Sequence, residues 1–208
     1  MEMEMPSDDH YRSFADLAQG ERAGSDYQVL ALRRLPVAVI APHGGAIEPG
    51  TSELARAIAG DELSLYCFEG LKDDHNGRLH LASHRFDEPI GLALVAQSEV
   101  VVTIHGRVGG EQAVYVGGRD EELQERAIAA LRAVGLCAER DSGATAGLDA
   151  RNICNRGATG RGLQLEVSRG LRRAMFAGLS RQGRETTTPL FARFVAAVRG
   201  VLLERPPV

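Results

Sequence analysis

Val37-Ala-Val-Ile-Ala-Pro-His43-Gly-Gly-Ala-Ile-Glu48-Pro-Gly-Thr-Ser-Glu-Leu54 is the stretch that decides the architecture. Residues 37–41 are β-branched or small and apolar at every position. They read as a strand buried on both faces, too short for a helix. His43 then stands at the strand's end, where open α/β sheets keep their ligands. Gly44-Gly45 lets the chain turn tightly, and Glu48 follows His43 by five residues. Pro49-Gly50 makes a second turn, Thr51 or Ser52 caps a helix running to about Ala59, and Gly60 stops it.

The same alternation of strand and helix continues outward. Downstream, residues 63–68 form a strand. Residues 78–85 (Arg-Leu-His-Leu-Ala-Ser-His-Arg) alternate, with Leu79, Leu81 and Ser83 on one face and His80, Ala82 and His84 on the other. Asp87 caps a helix with Pro89 in its first turn. Residues 100–104 are a second β-branched run, and 113–116 another strand. Asp120 caps an amphipathic helix over 121–134, and 136–139 return as a strand. Residues 141–162 are rich in Gly, Asn and Arg without periodicity, a length that in a compact domain more often signals function than connection. Residues 163–167 are a last strand, and 168–177 and 189–203 are terminal helices. Upstream, 27–32 suit an edge strand. Residues 1–24 are polar and read as an N-terminal extension with a short helix in 11–17. The pattern predicts one α/β domain over 25–208, with a central mixed, largely parallel sheet and helices on both faces.

Bulk properties narrow the function. With 208 residues, 44% hydrophobic and 25% charged, the chain can bury a sizeable core. A net charge of -4 and the absence of tryptophan argue against a nucleic-acid surface. No run approaches a membrane span. The acidic start lacks the apolar stretch of a secretory signal. Cys67, Cys137 and Cys154 have no metal or redox spacing and read as reduced thiols, so the expected compartment is the cytoplasm; a phage-type enzyme released by lysis would look the same. The oligomeric state is not legible.

Two buried-looking strands end in His-Gly, at His43 and at His105. Two imidazoles and the nearby Glu48 suit a catalytic zinc site that leaves a fourth position open. The competing readings are a pair of satisfied core histidines, or phosphate-cradling turns at Gly44-Gly45 and Gly109-Gly110, although neither turn matches a nucleotide-binding motif. Glu166 lies in Leu-Gln-Leu-Glu-Val. It belongs either to an exposed strand face or, if this strand is central, beside the site as a general base.

Four segments together resemble the phage and bacillus poly-γ-glutamate hydrolases: 43–54, 79–89 (Leu-His-Leu-Ala-Ser-His-Arg-Phe-Asp-Glu-Pro), 102–106 (Val-Thr-Ile-His-Gly) and 163–168 (Leu-Gln-Leu-Glu-Val-Ser). The resemblance runs in order from about Tyr11 to Phe194. It implies a compact relative of the zinc carboxypeptidases, with His43, Glu48 and His105 as zinc ligands and Glu166 as the base. It further implies hydrolysis of γ-glutamyl amide bonds. In the carboxypeptidases the acid follows the histidine by three residues; the five-residue spacing here agrees with the hydrolase subgroup. An anionic substrate favours arginines, which pair with carboxylates bidentately. Asn155-Arg156 resembles the carboxypeptidase pair that holds a terminal carboxylate, and Arg107 is close to His105. His80 and His84 are candidates for lining the site. Tyr115 is a candidate for the carboxypeptidase tyrosine that covers the substrate. The alternatives are a zinc amidohydrolase of another acylated or peptidyl carboxylate, and a non-catalytic binding module on the same fold. Intact His43, Glu48, His105 and Glu166 speak against the last.

Overall fold

A computed structural model describes residues 9–34 and 36–204. Residues 1–8 of the expected extension and the closing Pro206-Pro207 lie outside the described residues. Among the described residues seven strands form one sheet: β1 (Tyr27–Leu32), β2 (Val37–Gly45), β3 (Ser64–Gly70), β4 (Val100–Arg107), β5 (Ala113–Gly118), β6 (Cys137–Arg140) and β7 (Leu163–Ser168). Their spatial order is β1-β3-β2-β4-β7-β5-β6. The β1/β3 and β5/β7 pairs are antiparallel and the rest parallel. The expected mixed, largely parallel sheet is therefore present.

Six α-helices among the described residues cover it: α1 (Phe14–Gly20), α2 (Thr51–Ala59), α3 (Pro89–Ala96), α4 (Glu121–Ala133), α5 (Arg169–Met175) and α6 (Pro189–Leu203). Strand alternation divides the buried side chains between two cores. Val39, Ala41, Val102, Ile104, Leu163 and Leu165 face the larger one, closed by α2, α4, α5 and α6. Ala38, Ile40 and Val101 face the smaller one, closed by α1, α3 and the segment around Leu79, Leu81 and Phe86. Leu17 of α1 is fully buried there, so residues 9–24 contribute to this core.

The chain leaves β2 through α2 to β3 on one side, then crosses through α3 to β4 on the other. The order reverses at β2, and a crevice opens beyond the carboxyl ends of β2 and β4.

Three local expectations are corrected. Residues 78–85 form no strand: a 3-10 turn (Asn76–Leu79) leads into irregular chain. Alternation over so few residues is a weak signal where a segment has side-chain partners instead of a neighbouring strand. The N-cap of α3 is Glu88, whose carboxylate accepts from Gly91 N–H at 2.7 Å; Asp87 accepts from Phe14 N–H at 2.6 Å. The N-cap of α2 is Gly50, in a left-handed conformation. Thr51 Oγ1 donates to the Glu48 carbonyl, and Ser52 Oγ accepts from Gly45 N–H, so both hydroxyls brace the preceding turn.

Candidate metal centre and cleft

Strict alternation would place His43 on the same face as Val39 and Ala41, buried in the larger core. It does not lie there, because the register against β3 slips by one residue between Ala41 and Gly44. This bulge turns His43 to the smaller-core face. His105 and Glu166 share that face: they are register partners on β4 and β7 and alternate with Ile104, Leu165 and Val167 of the larger core.

Glu48 returns to His43 through a closed turn in which its N–H donates to the His43 carbonyl at 2.9 Å. Gly45 has φ 64 within this turn, and a Cβ there would stand 2.5 Å from the Gly70 carbonyl oxygen. Glu48 Oε1 lies 3.2 Å from His43 Nδ1, and Glu48 Oε2 accepts from Gly106 N–H at 2.8 Å. The Nδ1 atoms of His43 and His105 face each other at 3.2 Å. One ligand atom from each of His43, Glu48 and His105 falls within 4.8 Å of the others.

The far sides of both imidazoles are held by residues the sequence reading left unassigned. His43 Nε2 is 2.8 Å from the Leu81 carbonyl oxygen, and His105 Nε2 is 3.3 Å from Ser83 Oγ. An Nε2–H donated to Leu81 leaves Nδ1 of His43 as a lone-pair donor, the arrangement typical of metal-ligating histidine. Two ring nitrogens and a carboxylate converging this closely need a proton or a cation between them. The donor set of two nitrogens and one oxygen fits zinc with an open fourth position.

Electrostatics point the same way. Burial alone would raise the Glu48 carboxyl, but the imidazoles of His43 and His105 hold it well below the ordinary range. Burial opposes protonation of His105, yet Glu48 and Glu166 raise it overall. Glu166 is only 7% exposed, so it does not belong to a solvated strand face. Burial pushes its carboxyl up to about 7, with His105 and Arg107 opposing and Glu48 and Asp141 adding to the rise. Its Oε1 accepts from Gln164 Nε2 at 3.0 Å. A buried carboxyl poised near neutrality beside the triad can gain or lose a proton near pH 7.

The triad opens into a cleft of about 1670 Å³. Arg107, Arg169, Arg172 and Arg173 line it, as do His80 and His84. Arg107 stacks over Tyr115 with its guanidinium carbon 4.1 Å from the ring centroid, and pairs with Asp141 at 3.4 Å. Tyr115 is the register partner of Glu166 and donates to Glu111, but it is not among the cleft-lining residues. Asn155 and Arg156 do not line the cleft either. Asn155 is buried and donates to the carbonyls of Gly147 and Asp149 while accepting from Gly162 N–H, which folds the 141–162 loop on itself. Arg156 donates to the Phe86 carbonyl.

Arg172 was missed by sequence reading. It is 4% exposed and donates to the carbonyls of Val167, Pro49 and Arg107, tying together three strand-end segments. Burial lowers its pKa, with Glu48 and Glu166 opposing. The sequence signal was only Arg172-Arg173 shortly after β7, which on a helix reads as a solvated face.

A mixed α/β sheet gathers this triad and a neighbouring carboxylate at its strand ends, and comparison with known proteins defines the group as hydrolases of amide bonds. The poly-gamma-glutamate hydrolase family model matches residues 11–197, and the chain belongs to that family. It is 39% identical to UPF0714 protein YmaC of Bacillus subtilis, over 93% of this chain and 84% of that protein. UPF0714 protein YndL of the same organism is 38% identical, over 87% and 72%. A solved bacteriophage poly-gamma-glutamate hydrolase superposes with a TM-score of 0.91 at 33% identity, covering 94% of this chain and 97% of that one. The zinc-free form of YndL superposes equally well, at 36% identity, covering 95% and 98%. An N-formylglutamate amidohydrolase from Ralstonia eutropha shares the fold, with a TM-score of 0.54 at 13% identity. Among the described residues no helix is long and apolar enough to cross a membrane.

Proposed function

We propose that the chain is a zinc-dependent amidohydrolase that cleaves γ-glutamyl amide bonds in an anionic chain. The observation that carries this reading is the adjacency of Glu166 to His105 across β4 and β7, which sets a buried carboxyl beside a three-donor metal set within an arginine-lined cleft. His43, Glu48 and His105 hold the metal, and zinc bound there supplies Lewis acidity toward the amide carbonyl and toward water. Glu166 accepts the proton of the attacking water and delivers it to the leaving nitrogen. Gln164 fixes the Glu166 oxygen that must not wander during this transfer. Arg107, Arg169, Arg172 and Arg173 give the cleft the positive charge that a substrate with a free carboxylate at every residue requires. Arg169 and Arg173 are exposed on α5 and replace Asn155 and Arg156 as the carboxylate-binding candidates. The free Cys67, Cys137 and Cys154 fit a reducing, cytoplasmic setting.

The test is a substrate panel of γ-linked and α-linked glutamyl oligomers, each with and without a chelator. The reading predicts chelator-sensitive cleavage of the γ-linked oligomers. Equal or preferential cleavage of α-linked oligomers favours an amidohydrolase of another peptidyl carboxylate. No cleavage of any oligomer by the zinc-loaded chain favours a binding module.

A further inference from the structure

The segment 79–89, whose sequence stood out, is only partly explained by Leu81 and Ser83 holding the imidazoles. His80 remains. Its ring lies against that of His43, with centroids 3.9 Å apart and planes inclined by 34°. It lines the cleft, and its side chain is 29% exposed. Its Nδ1 is 2.7 Å from Asp9 Oδ1. The Asp9 side chain is itself 1% exposed, and its Oδ2 accepts from Ala82 N–H at 2.6 Å and from Arg85 Nη2 at 2.7 Å. Burial works against the Asp9 charge, but these donors outweigh it and hold the carboxyl at about 2. An ionised carboxylate only accepts, so His80 must carry its proton on Nδ1. Its Nε2 faces away from this anchor, and among the described residues no hydrogen bond occupies it.

Position adds to this. β2, β4 and β7 are neighbours, so Glu166, His105, His43 and His80 follow one another across the site. The carboxylate base flanks the triad on one side and His80 on the other. An amide chain brings an N–H and a C=O at each residue that need partners when it leaves water.

We propose that His80 is a substrate-contacting residue: held by Asp9 through Nδ1, it hydrogen-bonds the backbone of the bound amide chain through Nε2, on the flank of the triad opposite Glu166. The assignment rests on the amidohydrolase reading for its ligand class but is read out without turnover. In the full-length, zinc-loaded Glu166→Gln chain labelled with 15N-histidine, the His80 Nε2 resonance, assigned by its loss in His80→Gln, should move on saturation with a γ-linked glutamate oligomer. In the otherwise wild-type chain, His80→Ala should retain about one zinc per chain and lose ~10- to 100-fold in kcat/KM. His80→Gln, whose side-chain amide can hydrogen-bond the chain, should recover part of that loss. An Nε2 resonance unmoved by saturating oligomer overturns the contact. So does a His80→Ala variant whose kcat/KM is unchanged, or whose activity falls only in proportion to lost zinc. A moved resonance with no cleavage by the wild-type enzyme upholds the contact and overturns the hydrolytic reading instead.

Discussion

Replacing Glu166 with glutamine in the metal-free protein should raise its stability at pH 8. The carboxyl is buried beside Glu48 and Asp141, and its pKa rises from an ordinary 4.5 to about 7 in the folded chain. The folded state therefore keeps a proton between these values that the unfolded state has released. Stability from this group is fully present below pH 4.5 and is lost as pH rises through 7. The span corresponds to ~3 kcal/mol, at about 1.36 kcal/mol per pH unit. Glutamine is neutral throughout, and its carbonyl can still accept from Gln164 Nε2, so the variant avoids the loss at little cost in hydrogen bonding. The assay is urea denaturation of chelator-treated wild type and Glu166→Gln at pH 4.5, 6, 7 and 8. The variant should gain on the wild type progressively, by up to ~3 kcal/mol. Parallel pH dependences, or a variant less stable than wild type at pH 8, would refute the claim that a buried carboxyl is held near neutrality here. Bound zinc should erase much of the difference, because a nearby cation favours the Glu166 carboxylate.

Three further perturbations probe other parts of the account. In Gly106→Ala the new Cβ would stand 2.8 Å from Arg172 Cζ and 2.9 Å from Glu48 Cβ. Overpacking should cost ~1–3 kcal/mol by denaturation and weaken zinc retention in competition with a chelator; wild-type values for both would contradict the geometry. Leu17→Ala empties a fully buried position of the smaller core and should cost ~2–5 kcal/mol, whereas a loosely attached N-terminal segment would show almost no change. The pair Arg169→Ala and Arg173→Ala should raise KM for a γ-linked oligomer at least several-fold with zinc content unchanged, while Arg156→Ala should leave KM near that of wild type. The reverse ranking would restore the 141–162 loop as the carboxylate site.

Much of this site could be read from the chain because strand ends announce themselves. The apolar runs before His43 and His105 leave little choice but buried strands, and in parallel strands the residues at the carboxyl ends meet. The five-residue step to Glu48 was legible in part, as Gly44-Gly45 allows a tight return. The bulge that brings His43 to the face of His105 had no such signal: alternation alone directs His43 into the larger core, and only the pairing with β3 reveals the slip. The choice between an exposed and a buried Glu166 likewise depended on β7 being central, which is a matter of strand order and not of local pattern. Residues 78–85 alternated like a strand but are fixed by Asp9, more than 60 positions away, and by the imidazoles they support. Asn155-Arg156 looked right as a dipeptide, yet its partners are the backbone of its own loop and the Phe86 carbonyl. Arg172 works through three carbonyls from three distant segments, which no window of sequence contains.

Metal stoichiometry read together with turnover tests most directly whether His43, Glu48 and His105 form a catalytic zinc site. The purified wild-type chain should hold about one zinc, and His43→Ala and His105→Ala should each lose it. Glu166→Gln should keep the zinc while losing several orders of magnitude in hydrolysis of a γ-linked glutamate oligomer. Full zinc content in both histidine variants, or wild-type turnover in Glu166→Gln, would contradict the account.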